Sequence, residues 1–387
     1  MSNQIFRGVF TSRARLIAVL GISALLLSAC SSGSTDENAA STEEATTFTP
    51  VLKGGVAGAL LPEELNLWKY DFKTGKYSPE EGDAKSYVVN LVKPDKTFTL
   101  AHMDGWATNP FAIPITKGIA KLAKDLGLKL IYCDAEFKPE KAVSCAEILA
   151  SQKPDFVIAG NWQGSVATAI MAIFDKAKIP AVSIDVSHPN AIFFGANNYS
   201  SGVVGGKAAG EYAKAEWGCK DVWVFMGENL EEGEAADFRL TGFADGIQEV
   251  CGALPADRIN RMRLAAGTAD QAITVTTDWL TAHPEATHIL SATIDDERAS
   301  GMAKAFVASK RDGMAIGQGC DTVGIANVKL APAAENRFLG CVAFFPEKYG
   351  DYLVSVALDV MAGKAVPNEI HMEHVFLDHE TIGTYYK

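Results

Sequence analysis

The chain has 387 residues, of which 48% are apolar and 21% are charged. This composition can bury a large core, so it excludes a wholly disordered chain, a collagen and a coiled coil, and the length predicts two domains. The 47 Asp and Glu residues outnumber the 35 Lys and Arg residues and give a formal net charge of −12, which argues against a nucleic-acid partner because binding to phosphates requires a basic surface.

The first 30 residues have the pattern of an export signal. Three arginines and no acidic residue precede an apolar run over residues 16–29, and Cys30 follows. The run is shorter than the roughly 20 residues of a membrane-spanning helix, and a charged start before a short apolar segment is typical of a secretory signal. The tetrad LSAC at 27–30 resembles a bacterial lipobox. We therefore expect residues 1–29 to be removed and Cys30 to carry a lipid that anchors the exported protein to the membrane. The alternative is an ordinary signal that ends near a cysteine.

Two further segments precede the regular part of the chain. Residues 31–50 are small and polar, and with Cys30 they predict a lipidated, flexible tether over 30–50. Residues 51–96 hold short apolar patches, aromatic residues and turn-forming residues. They predict an N-terminal extension that packs on a domain surface.

From residue 97 onward, β-rich runs alternate with helical stretches. The predicted strands cover residues 97–102, 128–133, 155–159, 180–185, 191–195, 221–226, 258–264, 287–292, 314–319 and 338–343. The predicted helices cover residues 110–126, 139–151, 164–177, 200–217, 235–251, 269–282, 297–310, 324–330 and 346–362. Strands and helices that alternate at this spacing form right-handed βαβ units with parallel strands. The sequence therefore predicts an α/β fold of two doubly wound parallel-sheet domains.

Polar and aromatic residues follow many of the predicted strands. In doubly wound sheets, ligands bind at the carboxyl ends of the strands, and two facing domains form a cleft there. The candidates of the first half are Asp104, Trp106, Asn109, Phe111, Asn161, Trp162 and Asp185, and those of the second half are Glu234, Arg239, Asp295, Asp296, Glu297, Asp321 and Phe344.

These residues together favour a small, neutral, polyhydroxylated ligand. Carboxylates, amides and an arginine fork bond pairs of hydroxyl groups, and aromatic rings cover the apolar face of a sugar or polyol. Several acids facing one arginine would repel an anion, whereas a cationic ligand stays an alternative. Each acid taken singly is also compatible with a helix cap or a solvated loop, Asn109 and Asp296 above all, because each precedes a predicted helix.

Other chemistries lack their motifs. Gly205-Gly206-Lys207 misses the first glycine and the hydroxyl residue of a phosphate loop, and no GxSxG, HExxH or CxxC pattern occurs. His371, His374 and His379 are predicted on the last strand, where only the first and the third would share a face. We therefore expect no metal, no cofactor and no catalytic residue.

Several short motifs follow one another in a recognisable order. They are Asn109-Pro110-Phe111, Asp185, Asn197-Asn198, Ala235-Ala236-Asp237-Phe238-Arg239, Asp295-Asp296-Glu297 and Gly319-Cys320-Asp321. On these motifs the chain, from about residue 97 to 375, resembles the type I periplasmic binding proteins for sugars, the ribose/galactose-binding group of ABC importers.

The resemblance implies two lobes joined by three crossovers that act as a hinge. The first lobe would comprise residues 97–197 and 345–373, and the second would comprise residues 198–344 and 374–387. The ligand contacts that the resemblance implies are Asn109, Phe111, Asp185, Asn198, Arg239, Asp295 and Asp321.

Four positions depart from the family pattern. Ala112 stands where a phenylalanine is frequent, and Val186 stands where an arginine is common. Asp295 replaces an asparagine, and Phe344 replaces an amide. These changes argue against ribose and favour a different monosaccharide or a sugar alcohol.

Six cysteines follow Cys30, an even number that suggests disulfides in an oxidising compartment but allows fifteen pairings. On the fold that the resemblance implies, neighbouring elements carry the cysteines of three pairs. The predicted pairs are Cys133–Cys145, Cys219–Cys251 and Cys320–Cys341.

The resemblance also implies capture rather than catalysis. An open cleft admits the ligand, both lobes bond it, and the closed form docks on a membrane permease that a separate ATPase drives. We expect a monomer that is not an enzyme. Two alternatives stay open: a ligand-sensing receptor of the same fold that signals to a membrane kinase or chemoreceptor, and a carbohydrate-acting hydrolase.

Overall fold

The computed structural model describes residues 65–85, 87–264 and 267–387. The predicted signal, Cys30 and the tether therefore lie outside the described residues, as does the start of the predicted extension. None of the described helices is both long and apolar enough to cross a bilayer.

Two six-stranded sheets form the centre of the molecule. The strands are β1 (Leu67–Asp71), β2 (Lys76–Glu80), β3 (Thr99–Asp104), β4 (Lys129–Asp134), β5 (Phe156–Gly160), β6 (Ala181–Ile184), β7 (Ile192–Gly195), β8 (Val222–Glu228), β9 (Ile259–Arg263), β10 (His288–Ala292), β11 (Asp312–Gly319), β12 (Phe338–Ala343), β13 (Val366–Pro367), β14 (Glu369–His371) and β15 (Val375–Leu377). One sheet has the order β14-β7-β6-β5-β3-β4, and the other has the order β15-β12-β11-β10-β8-β9. The predicted α/β class with two parallel sheets is confirmed.

Helices cover both faces of each sheet. They are α1 (Ala112–Asp125), α2 (Pro139–Ser151), α3 (Gly164–Ala177), α4 (Asn198–Trp217), α5 (Glu234–Cys251), α6 (Ala269–Ala282), α7 (Asp296–Ser309), α8 (Thr322–Leu330), α9 (Ala333–Asn336), α10 (Pro346–Met361) and α11 (Ile382–Tyr385). We call the β14-to-β4 sheet with α1, α2, α3 and α10 the first lobe, and the other sheet with α4 to α9 and α11 the second lobe. Strand residues such as Leu100 and Val157 are fully buried because helices pack on both sides of the sheet.

Helices α4 and α5 pack backbone against backbone. A Cβ atom on Gly202 would collide with the carbonyl oxygen of Arg239, and one on Gly242 would collide with that of Tyr199. Only glycine permits this approach, which brings the start of α4 against the side of α5 that carries Arg239.

Three segments connect the lobes. They run from β7 to α4, from β12 to α10, and from β14 to β15. The first and third are joined by hydrogen bonds: the Asn197 N–H donates to Nε2 of His374 at 3.0 Å, and the Met372 N–H donates to the Gly195 carbonyl oxygen at 3.0 Å. The first and third crossovers therefore form one hydrogen-bonded unit.

Two features differ from the all-parallel prediction. Strand β15 pairs antiparallel with β12, and β1, β2 and β13 form a separate antiparallel sheet. The placement of three histidines on one last strand is wrong: His371 ends β14, His374 lies in the crossover, and His379 follows β15. The reason is that this segment pairs first with β7 in one lobe and then with β12 in the other, so no continuous strand exists.

The structure places the sulfur atoms of the three predicted cysteine pairs at bonding distance. The Cα–Cα distances are 5.6 Å for Cys133–Cys145, 5.4 Å for Cys219–Cys251 and 5.0 Å for Cys320–Cys341, within the usual range for disulfides. The last pair joins the end of β11 to β12, directly beside the loop that leads to α8.

Candidate functional site

A cleft lies between the carboxyl ends of the two sheets. It encloses about 540 Å³ of space, part of which is open to solvent. The lining residues are Asn109, Phe111, Trp162, Asp185, Val186, Glu232, Ala235, Arg239, Ile294, Asp295, Gln318, Gly319 and Phe344. Residues of both lobes and Phe344 of the second crossover therefore line the same cleft.

Asp185 forms the base of the first-lobe wall. Its φ of 58° turns the chain directly after β6. Its Oδ1 accepts hydrogen bonds from the Ala196 N–H at 2.8 Å and from the Tyr349 hydroxyl at 3.0 Å. Burial raises the pKa of this carboxyl, which those hydrogen bonds and the charge of Arg239 oppose. The carboxyl is thus fixed at the hinge through its Oδ1.

Aromatic rings line the side of the cleft near the crossovers. The ring of Phe111 lies edge-on to Phe344 at 6.1 Å and to Tyr349 at 5.5 Å, and it is 6.2 Å from the ring of Trp162. The turn that presents Phe111 is held by Asn109, whose Oδ1 accepts from the Phe111 N–H at 2.8 Å. Such a cluster offers an apolar face that suits the C–H side of a sugar ring.

Arg239 is the cationic group of the cleft, and its guanidinium is fixed from within the second lobe. Its Nε and Nη2 donate to Oδ1 of Asn198 at 3.2 and 2.5 Å, and its Nη1 donates to the carbonyl oxygen of Ile294. The guanidinium carbon also lies 4.9 Å from the centre of the Phe344 ring. The orientation of Arg239 is therefore set before any ligand binds.

Two carboxylates of the second lobe share one buried arginine. Nη1 of Arg298 lies 3.2 Å from Oδ2 of Asp295, and its Nη2 lies 3.6 Å from Oε1 of Glu232. The Arg298 side chain is only 1% exposed, whereas both carboxylates line the cleft. Burial raises the pKa of Glu232, and the charge of Arg298 opposes that rise.

The structure brings seven of the candidate residues together in the cleft lining and places an eighth behind them. The seven are Asn109, Phe111, Trp162, Asp185, Arg239, Asp295 and Phe344. Asn198 is fully buried and contacts the cleft through Arg239. These eight include every ligand contact that the family resemblance implied except Asp321.

Five predicted contacts do not line the cleft, each for a visible reason. Asp104 bonds the Thr116 and Tyr132 hydroxyls, and Asn161 donates to the Gln163 carbonyl oxygen. Asp321 caps α8 by accepting from the Val323 and Gly324 N–H groups. Glu234 is exposed at the start of α5. Trp106 lies at the rim, where its indole packs against Gly267 of the second lobe.

Sequence reasoning missed several lining residues, chiefly Glu232 and Gln318. Glu232 lies in the 3₁₀ turn Leu230–Glu232, which follows the end of β8 at Glu228. Gln318 lies inside β11 rather than after it. A search confined to positions just past strand ends does not reach either residue. The signal for Gln318 is the lone polar side chain in the otherwise small and apolar run GMAIGQG, where it is 3% exposed.

The site has no arrangement typical of a metal centre. In the described ranges of the chain, no three His, Cys, Asp or Glu side chains are placed to hold a metal ion. The groups that do converge are hydrogen-bonding and aromatic, which suits recognition of hydroxyl groups.

Comparison with known proteins yields one family and many structural neighbours. Residues 105–365 match the family model described as periplasmic binding protein domain. The ribose import binding protein RbsB of Bacillus subtilis is 27% identical over 281 residues, which are 71% of this chain and 85% of that protein.

Two solved structures have the same fold. One is an ABC transporter solute binding protein from Mycobacterium smegmatis with bound glycerol, with a TM-score of 0.65 and 19% identity over 76% of this chain and 98% of that one. The other is an ABC transporter periplasmic solute binding protein from Actinobacillus succinogenes with bound D-allose, with a TM-score of 0.63 and 20% identity over 75% of this chain and 100% of that one.

Proposed function

The chain belongs to the periplasmic binding protein domain family, and we propose that it is the extracytoplasmic solute-binding component of an ABC importer that captures a monosaccharide or a sugar alcohol. It is a binding protein rather than an enzyme, as its relatives are by name.

The observation that carries this proposal is the composition of the cleft wall. Carboxylates from both lobes, Asp185 and Asp295, face a space that is also lined by the rings of Phe111 and Phe344. Carboxylates accept hydrogen bonds from hydroxyl groups, and rings cover the apolar side of the same molecule. A monosaccharide or polyol presents both surfaces at once.

Capture would occur by closure of the lobes around the ligand. Three crossovers are the covalent links between the two sheets, so the lobes can move as bodies about them. Ligand contacts shared between Asp185 of the first lobe and Arg239 of the second favour the closed form, because only that form makes both sets of bonds.

The remaining parts of the proposal come from the sequence. A lipobox at 27–30 and a tether over 30–50 would hold a monomer at the membrane surface. There the closed form would dock on a membrane permease that a separate ATPase drives. The tether raises the local concentration of the binding protein at its permease.

A binding screen on the purified mature protein tests the function. We expect one uncharged monosaccharide or sugar alcohol to bind saturably by isothermal titration calorimetry and to be recovered unchanged. Replacing Arg239 by Ala, or Asp185 by Asn, should weaken binding by about 10- to 100-fold, since each change removes hydrogen bonds that involve a charged group.

Arg261→Ala is the matched control, because Arg261 pairs with Asp237 and Thr241 outside the cleft. It should bind the ligand as the wild type does. Binding of amines or anions in place of uncharged polyols, or release of a chemically altered ligand, would refute the proposed function.

A further inference from the structure

Arg298 lies behind the second-lobe wall of the cleft. The first residues of α7 place it there: Oδ1 of Asp295 caps the helix by accepting from the Arg298 N–H at 2.8 Å. The side chain then folds back so that its guanidinium reaches Oδ2 of the same Asp295 and Oε1 of Glu232. One residue thus contacts two carboxylates that belong to different elements.

The guanidinium is almost completely withdrawn from water. Arg298 is 1% exposed, and in the described residues its Nε and Nη1 have no hydrogen bond, so Nη1 meets Asp295 as an ion pair only. A buried arginine that leaves a donor unbonded is costly. The charges of Glu232 and Asp295 offset the cost of burying this guanidinium.

Glu232 is held by a second group and still keeps one oxygen for a ligand. The Asn229 side-chain N–H donates to Oε1 at 3.0 Å. In the described part of the chain, Oε2 has no hydrogen bond from protein. Glu232 therefore presents a fixed acceptor to the cleft, beside Asp295.

We propose that Arg298 is a positioning residue of the ligand site: its guanidinium holds Glu232 and Asp295 side by side, so that together they accept hydrogen bonds from two neighbouring hydroxyl groups of an uncharged polyol. This inference rests on the proposed function and deepens it. It assigns ligand contact to Glu232, a residue of the 3₁₀ turn, and it assigns the ligand a pair of adjacent hydroxyl groups.

The charge balance of the cleft supports an uncharged ligand. Asp185, Glu232 and Asp295 bring three carboxylates to the lining, and Arg239 is directed at Asn198 and Ile294. Arg298 supplies the compensating charge from behind, where no ligand can reach it. A cation would then gain little attraction, while hydroxyl donors still find acceptors.

The pH dependence of binding reports on this arrangement. Arg298, Arg239 and Asn229 act on Glu232, and Asp296 and Asp321 interact with Asp295. Arg298 is the largest influence that opposes the burial-driven rise in the pKa of Glu232. Removing it should raise that pKa further, so binding should be lost at a higher pH as the solution is acidified.

The test measures affinity for the polyol found in the screen, between pH 5 and pH 8, for Arg298→Met, Arg298→Lys and Glu232→Gln. We expect Arg298→Met to weaken binding by tenfold or more at pH 7 and to shift the acidic limit of binding upward. Arg298→Lys should restore part of the affinity because it keeps the charge. Glu232→Gln should weaken binding about tenfold while Arg298 stays in place.

Arg263→Met is the control, since Arg263 pairs with the exposed Glu231 in the same turn, at 3.1 Å, outside the cleft lining. It should bind as the wild type does. If Arg298→Met does not fold, Glu232→Gln decides, and unchanged affinity in Glu232→Gln overturns the inference. A wild type that binds no uncharged polyol overturns the proposed function and this inference with it, whereas a wild type that binds one while the variants match it overturns the inference alone.

Discussion

His374 joins the hinge through a bond that requires an unprotonated ring nitrogen. Its Nε2 accepts from the Asn197 N–H, and its ring lies 4.8 Å from that of Phe344. Burial, followed by the charge of Arg239, lowers its pKa to about 3. The imidazole therefore stays neutral in the folded protein down to strongly acidic pH, and the link between the first and third crossovers persists with it.

This lowered pKa predicts a specific pH dependence of stability. Below about pH 6.5 the unfolded chain protonates His374 while the folded protein does not, so stability falls as the pH falls through the window from 6.5 to 3. Replacing His374 by Gln removes this contribution. We expect the free energy of unfolding of the wild type to drop by about 1–2 kcal/mol more than that of the variant between pH 7 and pH 5.

Urea denaturation at the two pH values measures the difference. His379→Gln serves as the control because His379 is exposed after β15, and it should follow the wild type. Parallel pH profiles for the wild type and His374→Gln would show that the hinge histidine does not resist protonation.

At the scale of elements, the described part of the N-terminal extension (residues 65–85 and 87–96) packs along the first lobe, and we call it the strap. Strands β1 and β2 form a hairpin, and β1 also pairs with β13. Further along, the hydroxyl of Tyr87 lies 2.8 Å from Oγ of Ser355 and donates to Oδ2 of Asp359 at 2.8 Å, while the Asn90 side chain donates to Oδ1 of Asp359 at 3.0 Å. The strap lies outside the part of the chain that matches the family model, and it is hydrogen-bonded to α10.

Tyr87→Phe tests whether the strap stabilises the lobe. The change takes a donor from Asp359 and an acceptor from the Ser355 hydroxyl, and both of these side chains are buried. We expect a loss of about 1–2 kcal/mol in the free energy of unfolding, measured by chemical denaturation. Val88→Ala, at an adjacent position that is 81% exposed, should change stability by less than about 0.5 kcal/mol. Equal stability of both variants would mean that the strap is only loosely attached.

The elements that sequence could predict are those with local patterns. The helices at 139–151, 164–177 and 269–282 have the predicted bounds, because apolar periodicity and flanking strands define them locally. The antiparallel sheet could not be predicted in this way, since Leu67 pairs with Pro367 and the two lie far apart in the chain. Pairing over such a separation depends on the finished lobe and leaves no periodic signal.

The same limit applies to the site. Asp185 and Asp295 were identified because they follow strands, where side chains of parallel sheets converge. Asp321 also follows a strand, yet its carboxylate turns to the N–H groups of α8. Glu232 lines the cleft 3.6 Å from Arg298, a residue distant in sequence. Which polar residue lines the cleft thus depends on local helix capping as well as on tertiary partners.

At the scale of the whole molecule, the two lobes contact each other across the cleft. Val186 of the first lobe and Ala235 of the second form a small apolar cluster with Trp162 and Phe238. At the rim, the indole of Trp106 reaches Gly267. Since covalent connection is limited to three crossovers, these contacts contribute to the balance between open and closed arrangements, in addition to any ligand.

Ala235→Asp tests this balance. A carboxylate placed among Val186, Trp162 and Phe238 would lose hydration only when the lobes close, so the closed form becomes less favourable while each lobe stays folded. We expect ligand affinity to fall by about tenfold or more, chiefly through faster dissociation. We also expect the ligand-free variant to have a larger radius of gyration by small-angle X-ray scattering.

Leu230→Asp is the matched control, because Leu230 is 61% exposed on the neighbouring turn. This change should leave both measurements unchanged. Equal affinities in the two variants would show that contact between the lobes makes no contribution to capture, and that the ligand alone would have to hold them together.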